Sequence, residues 1–180
     1  MKKQPEITKK TRDKFTSVFC ELYSQKPIEK ISVQEIAEKS GYNRSTFYEY
    51  FADIYELLTF VENDLLSYMK EELNNKDAPT NNIQNMMNCF EDTNHILTLT
   101  ALLGDYGSIR FLERIKSEIP LDRLVINIPK DDPRTPYLIE FYISTALSLF
   151  RLWIRREKDI TIDELSVLLN NLFRNGISSI

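Results

Sequence analysis

The stretch from Ser32 to Phe51 constrains the fold of this chain most, because it predicts two short helices joined by a glycine turn. Ser32 is a favourable helix N-cap, and Glu35 three residues later completes the pattern of a capping box. Gly41 can adopt the left-handed conformation that ends a helix at little cost. A hairpin of this kind either packs as two ordinary core helices or offers its second helix to the major groove of DNA.

The second helix of the hairpin combines a polar first turn with an apolar far side. Asn43 is its N-cap, and Phe47 and Phe51 form an apolar pair at i, i+4 spacing. Arg44 can bind a guanine edge with two hydrogen bonds or grip a phosphate. The next two residues, Ser45 and Thr46, suit shorter contacts to bases or backbone.

The order of residues from Gly41 to Phe51, GYNRSTFYEYF, closely resembles the recognition helix of TetR-family transcriptional regulators. That family has a glycine turn, a small capping residue and an aromatic tail of the form Phe/Leu-Tyr-x-His/Tyr-Phe. Residues 32–37 and 53–58 also match, and the resemblance fades beyond them. It implies base contacts from the first turn and a phosphate contact from Tyr48, while Tyr50 is either a phosphate contact or a core aromatic with an exposed hydroxyl. The candidate DNA-binding residues are Ser32, Asn43, Arg44, Ser45, Thr46, Tyr48 and Tyr50, with Lys9 and Lys10 from the basic N-terminus.

One position departs from the family pattern. The family commonly has a lysine two residues after the position of Ala52, where its charge meets phosphate, and this chain has Ile54 there. The loss of one phosphate contact predicts weaker binding and a salt dependence flatter by roughly one unit of slope. Other cations, such as Lys39 or the basic N-terminus, would then have to compensate, or the affinity is low.

Charge is distributed unevenly along the chain. Residues 1–50 hold ten Lys/Arg and seven Asp/Glu, a net of +3, whereas the remainder holds thirteen against twenty, a net of −7. This asymmetry fits a phosphate-facing head on an acidic body, because only the head must approach the polyanion. The basic N-terminus is either a solvated, disordered tail or a helix start lying along phosphates or in the minor groove. Its cations are Lys2, Lys3, Lys9, Lys10, Arg12 and Lys14.

The hydrophobic spacing predicts an all-α fold of about nine helices. With the TetR resemblance, it implies a three-helix, helix-turn-helix DNA-binding domain at residues 1–52 and a helical regulatory and dimerisation domain at residues 53–180. The first helix runs from Thr8 to a stop at Pro27. The composition is that of a folded soluble protein, and Cys20 and Cys89 lie in apolar patterns, which predicts buried free thiols and a cytoplasmic location. The predicted core of the head is Phe15, Phe19, Leu22, Ile36, Ala37 and Phe47.

A long helix capped by Asp53 and reaching about Leu73 leaves the head and enters the body, as a natural lever between the two. The later pattern predicts helices at 83–90, 92–103 and 106–118, followed by a proline-containing connection at 120–136. The last two helices run over about 135–157 and from the cap Thr161, with its capping-box partner Glu164, to Gly176.

The helix predicted at 135–157 is apolar on nearly every face. It is not a membrane span, because the uncharged run between Glu140 and Arg151 is far shorter than a bilayer requires. A soluble helix of this kind needs cover on most faces, so it is either the centre of a larger monomeric core or half of a dimer interface. The TetR resemblance implies a dimer built as a four-helix bundle, whose two heads would read a palindromic operator. The predicted interface residues are Leu147, Phe150, Ile154, Leu165, Leu168 and Leu172.

The resemblance also implies a small-molecule pocket in the body, for which plain core packing is the alternative at each position. The candidate lining residues are Phe90, His95, Tyr106, Phe111, Tyr142 and Trp153. His95 is the sole histidine, which excludes a His-based metal cluster. Since the sequence has no paired base and nucleophile, no glycine-rich phosphate loop and no Cys-x-x-Cys, we expect neither an enzyme nor a cofactor.

Three functions follow from the sequence. The first is a dimeric, operator-binding transcriptional regulator, a repressor released by a small ligand that acts through the lever helix. The second keeps the same DNA-binding head and replaces the ligand with a protein partner on the acidic body. In the third, the chain is an enzyme or ligand-binding module whose hairpin is purely structural.

Overall fold

The computed structural model describes residues 5–74, 93–118 and 132–175, and within them the chain forms eight α-helices, one 3-10 turn and no β-strand. The all-α prediction is confirmed. The helices are α1 (Pro5–Tyr23), α2 (Val33–Ser40), α3 (Arg44–Tyr48), α4 (Ile54–Asn74), α5 (Thr93–Leu103), α6 (Ile109–Glu118), α7 (Thr135–Arg155) and α8 (Ile162–Asn175).

The first three helices follow the sequence signals closely. The helix α1 ends at Tyr23, earlier than the predicted stop at Pro27, and Pro27 instead precedes a 3-10 turn at Ile28–Lys30. The Ser32 hydroxyl accepts from the Glu35 N–H at 3.1 Å, which begins α2. The Glu35 carboxylate takes a different donor from the one the capping box predicts, since it accepts from the Lys26 ammonium at 2.6 Å.

Aromatic side chains from distant parts of the sequence form the core of the head. The Phe15 ring of α1 lies 5.3 Å from the Phe47 ring of α3 and 5.3 Å from the Tyr42 ring in the turn. Phe47 also contacts Phe51 at 5.6 Å, and both are buried. All six predicted core residues of the head are buried, so α3 is held in place by α1 and by the residues that follow it.

The start of α4 is capped from two sides. The Asp53 carboxylate accepts from the N–H groups of Tyr55 and Glu56, both at 2.8 Å, which confirms the predicted cap. The Glu56 carboxylate accepts from the Ala52 N–H. The carboxylates of Asp53 and Glu56 therefore both accept hydrogen bonds from backbone N–H groups at the start of α4.

The chain divides into two compact units, and the division falls inside α4. One unit comprises Met1–Leu65 and Leu97–Phe111, and the other comprises Leu66–Ile96 and Leu112–Ile180. The functional boundary predicted between residues 52 and 53 stays a prediction, because compactness groups the first part of α4 with the head.

In the first unit, α5 contributes to the environment of α1. Leu99, Ala101 and Leu102 are buried, and the Cys20 thiol lies 3.8 Å from the Thr98 hydroxyl. Cys20 is a buried free thiol, as predicted, whereas Cys89 lies outside the described residues.

In the second unit, α7 and α8 form an antiparallel pair around a tight connection. The Trp153 indole N–H donates to the Ile160 carbonyl at 2.8 Å, and the Lys158 ammonium lies 5.5 Å from the Trp153 ring centre. The predicted capping box is confirmed: the Thr161 N–H donates to the Glu164 carboxylate at 2.7 Å, and the Glu164 N–H donates to the Thr161 hydroxyl at 3.2 Å.

Other boundaries shift by a few residues. The helix α6 begins at Ile109, not at 106, because the Ser108 hydroxyl accepts from the Arg110 N–H at 3.1 Å and caps the helix there. The helix α7 begins at Thr135, as predicted, with Pro136 in its first turn, and it ends at Arg155, two residues before the predicted end. The helix predicted at 83–90 and the connection up to residue 131 lie outside the described residues.

The helix α7 leaves an apolar stripe uncovered in this single chain. Tyr137 is 77% exposed, Phe141 57% and Leu152 44%. By length and composition α7 is also apolar enough to cross a membrane, but core helices of soluble proteins meet that criterion too. Moreover, the Glu140 carboxylate pairs with the Lys116 ammonium of α6 at 2.8 Å, and that pairing lowers the pKa of Glu140.

The predicted interface residues fall into two groups. Phe150 and Leu165 are buried within the chain itself, because they pack inside the second unit, so they offer little surface to a partner. The four that keep partial exposure are Leu147, Ile154, Leu168 and Leu172. The sequence did not single out the most exposed apolar residues, because a helix that is apolar on nearly all faces gives no signal for which face turns outward.

Candidate nucleic-acid interface

The turn between α2 and α3 depends on the backbone conformation of one glycine. Gly41 has φ +75°, the left-handed region, and open space where a Cβ would stand. The Tyr42 N–H donates to the Ala37 carbonyl at 2.9 Å, which closes the end of α2. Glycine is required here for its φ angle and not for lack of room.

Asn43 fixes the start of α3. Its carboxamide oxygen accepts from the Thr46 N–H at 2.8 Å and from the Thr46 hydroxyl at 3.1 Å. Because α3 is only five residues long, this cap and the burial of Phe47 hold it where propensity alone would not.

The polar residues of the hairpin lie outward. Ser32, Asn43, Arg44 and Ser45 are exposed, and Tyr48 is 48% exposed. Thr46 and Tyr50 are half-buried, and the Tyr50 ring packs 6.1 Å from Phe15. This packing fits one of the two alternatives for Tyr50, a core aromatic with part of its surface in solvent, and the phosphate contact stays a prediction.

Two candidate residues that the sequence treated separately contact each other. The Arg44 guanidinium donates to the Tyr48 hydroxyl at 3.3 Å, and its carbon lies 5.9 Å from the centre of the Tyr48 ring. The i, i+4 spacing was the available sequence signal for this pair.

The first half of α1 lies against the segment that follows α3. An open groove of about 620 Å³ separates them, lined by Thr8, Arg12, Glu49, Tyr50, Phe51, Glu56 and Phe60. The Arg12 guanidinium stacks over the Phe60 ring at 5.3 Å, and the Thr11 hydroxyl donates to the Tyr42 hydroxyl at 3.4 Å. The start of α1 is thus anchored beside the hairpin.

The basic residues of the head and the N-terminus lie in different places in the structure. Lys9, Lys10 and Lys14 are exposed on α1, so a disordered tail is the wrong description for them. Lys2 and Lys3 lie outside the described residues. Lys39 is exposed in the last turn of α2.

The edge of the head around Ile54 carries negative charge. Ile54 is half-buried as the first residue of α4, and Tyr55 beside it is 53% exposed. The charged side chains from Glu49 to Glu56 are all carboxylates. A phosphate approaching this edge would meet repulsion where a lysine would attract it.

The structure distributes the predicted pocket residues between the two units. In the first unit Tyr106 is 43% exposed and Phe111 is fully buried. In the second unit His95 stacks face to face on Tyr68 at 3.7 Å, and Tyr142 packs on Phe173 at 4.1 Å. Trp153 is a buried core residue held by Ile160. Phe90 lies outside the described residues, and the pocket remains a prediction.

Within residues 5–74, 93–118 and 132–175, no group of three or more His, Cys, Asp or Glu side chains is placed to hold a metal ion.

The segment that contains the hairpin matches a known protein family, and the fold is similar to solved structures. Residues 19–59 match the sequence profile of bacterial regulatory proteins of the tetR family. Among solved structures, a TetR transcriptional regulator from Streptococcus agalactiae 2603V is similar over 92% of this chain and 94% of its own, with 22% identity and a TM-score of 0.63. A tetR-family regulator from Streptomyces coelicolor is similar over 90% of this chain and 80% of its own, with 22% identity and a TM-score of 0.61.

A third solved structure, the dihydroxyacetone kinase operon activator DhaS, is similar over 93% of this chain and 96% of its own, with 21% identity and a TM-score of 0.57. No curated protein matches the chain.

Proposed function

We propose that this chain is a TetR-family regulator, which its matched segment and its fold support, and that it acts in the cytoplasm as a dimeric, operator-binding repressor that a small molecule releases. The observation that carries the proposal is the outward polar face of α3. Arg44 and Ser45 are exposed at its first turn, while Phe47 on the opposite side is buried. Because these polar side chains are not used in packing, they are available for major-groove readout.

The dimer is supported by the uncovered stripe on α7. Five exposed residues of α7 recur at spacings of three and four, so they share one helix face. They are Tyr137, Phe141, Ser144, Ser148 and Leu152. The two serines are small enough to let a second helix approach closely. Two heads held by such an interface would multiply affinity for two half-sites.

Control by a small molecule is supported by the position of α4 in the chain. It begins at the head with Ile54, and its later residues, from Leu66 onward, belong to the second unit. A ligand of the second unit could therefore act on the head through one continuous helix. It would release DNA only if it bound the conformation that does not bind DNA more tightly.

The central test is sequence-selective DNA binding. The wild-type chain selects sites from a random pool of duplexes at low salt, and the selected duplex is then used in gel-shift titrations. We expect Arg44→Ala to abolish selective retardation without lowering the melting temperature, because Arg44 is exposed. Arg110→Ala, at another exposed arginine, is the matched control and should bind as the wild type does. A wild-type chain that enriches no sequence would refute the proposal.

The direction of regulation is tested separately. A reporter gene behind the selected site should fall in expression when the chain is produced and recover with Arg44→Ala. An increase would instead make this chain an activator, the role stated for DhaS.

A further inference from the structure

The contact between Arg44 and Tyr48 joins the first and the last residue of α3. One guanidinium nitrogen lies 3.3 Å from the Tyr48 hydroxyl oxygen, and the guanidinium carbon lies 5.9 Å from the ring centre. Both side chains lie on the exposed side of α3. The arginine thus has a defined resting place on the surface that, under the proposed function, faces DNA.

The Tyr48 ring is itself restrained by packing against the core. It stands edge-on to the Phe47 ring at 5.8 Å and 89°, and Phe47 is fully buried between Phe15 and Phe51. A tyrosine has two side-chain torsions, whereas an arginine has four and loses considerable entropy when it is fixed. A ring backed by the core can therefore restrain the more flexible side chain.

The chemistry of the hydrogen bond leaves both groups able to bind DNA. A guanidinium has donors only, so the Tyr48 oxygen must be the acceptor. The phenolic hydrogen then remains free to donate to a phosphate, and the guanidinium keeps its other donors for the O6 and N7 acceptors of a guanine. Since the acceptor is already held by a cation, the phenol also becomes a better donor.

We propose that Tyr48 is the positioning residue for Arg44, so that its hydroxyl strengthens the base-pair discrimination that Arg44 provides and is more than a phosphate contact. This inference rests on the proposed function, because it requires α3 to face the major groove. It assigns to one tyrosine the coupling between backbone contact and base readout. A phosphate contact alone carries no sequence information, so the two roles predict different effects of removing the hydroxyl.

The test measures discrimination, not affinity alone. The duplex selected by the wild-type chain and a set of duplexes with each base pair replaced in turn are titrated by fluorescence anisotropy with wild type, Arg44→Ala and Tyr48→Phe. Arg44→Ala marks the base pairs that Arg44 reads. We expect Tyr48→Phe to lower discrimination at those same base pairs by about three- to tenfold, a fraction of what a good bidentate contact supplies, and to leave the other positions unchanged.

Additional variants separate the ring from the hydroxyl. Tyr48→Leu removes both and should lose more discrimination than Tyr48→Phe. The double variant Arg44→Ala/Tyr48→Phe should discriminate no worse than Arg44→Ala alone, because the hydroxyl acts through the arginine. Tyr55→Phe removes a hydroxyl from an exposed tyrosine outside α3 and should not change readout at the Arg44 positions.

The outcomes distinguish this inference from the proposed function. If the wild type is selective and Tyr48→Phe weakens every duplex by the same factor, Tyr48 is a phosphate contact only and the inference is wrong. An unchanged Tyr48→Phe profile, or additive losses in the double variant, overturns it equally. Absence of selectivity in the wild type would instead remove the proposed function itself.

Discussion

Cys20 illustrates how strongly a single side chain depends on its packing. It is fully buried on α1, and burial raises the pKa of its thiol to about 12, while the hydrogen bond with Thr98 acts in the opposite direction. Because the thiolate is the reactive form, the folded protein keeps this sulfur inert.

We predict that Cys20 resists thiol reagents until the chain unfolds. In a Cys89→Ser background at pH 8, labelling should be slower in the folded than in the unfolded protein by on the order of 10³-fold, from the difference in thiolate fraction alone. Mass spectrometry of the labelled protein measures the rate. Equal rates would contradict the burial of Cys20.

The raised pKa of Cys20 also has a consequence for stability at high pH. The unfolded thiol loses its proton at lower pH than the folded one, so unfolding becomes more favourable as pH rises from the unfolded pKa, about 8.5, towards the folded value. The free energy of unfolding of wild type relative to Cys20→Ala should therefore decrease between pH 8 and pH 10 in urea titrations. A constant difference would show that the thiol pKa is unchanged on folding.

Ile54 is a position at which one substitution would add a cation to the acidic edge of the head. We predict that Ile54→Lys strengthens binding to any duplex and steepens the plot of log K against log salt by about one unit, the effect of one added phosphate contact. The control Ser67→Lys adds the same charge about 20 Å further along α4, beyond the range of screened interactions, and should leave the slope unchanged. Identical slopes for wild type and Ile54→Lys would place this edge away from DNA.

At the scale of elements, the connection between α7 and α8 makes a tighter turn than its sequence predicts. Glu157 and Lys158 have φ values of 56° and 60°, a conformation that side chains with a Cβ disfavour. The connection is kept because Trp153 bonds to Ile160 and packs beneath Lys158.

Glycine substitutions in this connection should reveal the strain. We expect Glu157→Gly to raise the free energy of unfolding by about 1 kcal/mol, since glycine removes the left-handed penalty. Lys158→Gly should gain less, because it also loses the contact with the Trp153 ring. Urea denaturation midpoints measure both, and destabilisation by Glu157→Gly would contradict the strain.

Individual elements show which features of the fold the sequence could predict and which it could not. The caps at Ser32, Asn43 and Thr161 and the turn at Gly41 are local signals, in which a few neighbouring residues determine the backbone, and all are confirmed. The start of α6 and the outward face of α7 were not predicted correctly. The Ser108 cap decides where α6 starts, and it is a local signal that hydrophobic spacing alone does not reveal. The position of neighbouring helices, which local sequence does not encode, decides which face of α7 lies outward.

The features of the candidate site also divide into those that the local sequence predicts and those that depend on packing. Residue types and their order were enough to identify Arg44 and Tyr48 as candidates, but their contact requires both side-chain directions. The groove beside Arg12 likewise depends on how α1 packs against residues that are distant in sequence.

At the scale of the whole molecule, the exposed stripe on α7 determines the predicted assembly. We expect Phe141→Glu to convert a dimer into a monomer of 21.2 kDa, because it places a charge on an apolar surface that is 57% exposed in the single chain. Affinity for a duplex with two half-sites should fall towards that for one half-site. Ile109→Glu, at an apolar residue that is 76% exposed on α6, is the matched control and should remain dimeric.

Sedimentation velocity distinguishes the two variants directly. A wild type that sediments as a monomer at every concentration would refute the dimer, and a dimeric Phe141→Glu would place the interface on another face.

The division of labour within α3 has a consequence for how such a protein can change over evolutionary time. Phe47 is the buried residue of α3 that packs on the core, while Arg44 and Ser45 are exposed at its first turn. Substitutions at those two positions therefore change the stability of the fold very little, while under the proposed function they change what α3 recognises. Under that function, duplicated copies of this chain could acquire new operators one residue at a time, each intermediate remaining a stable protein.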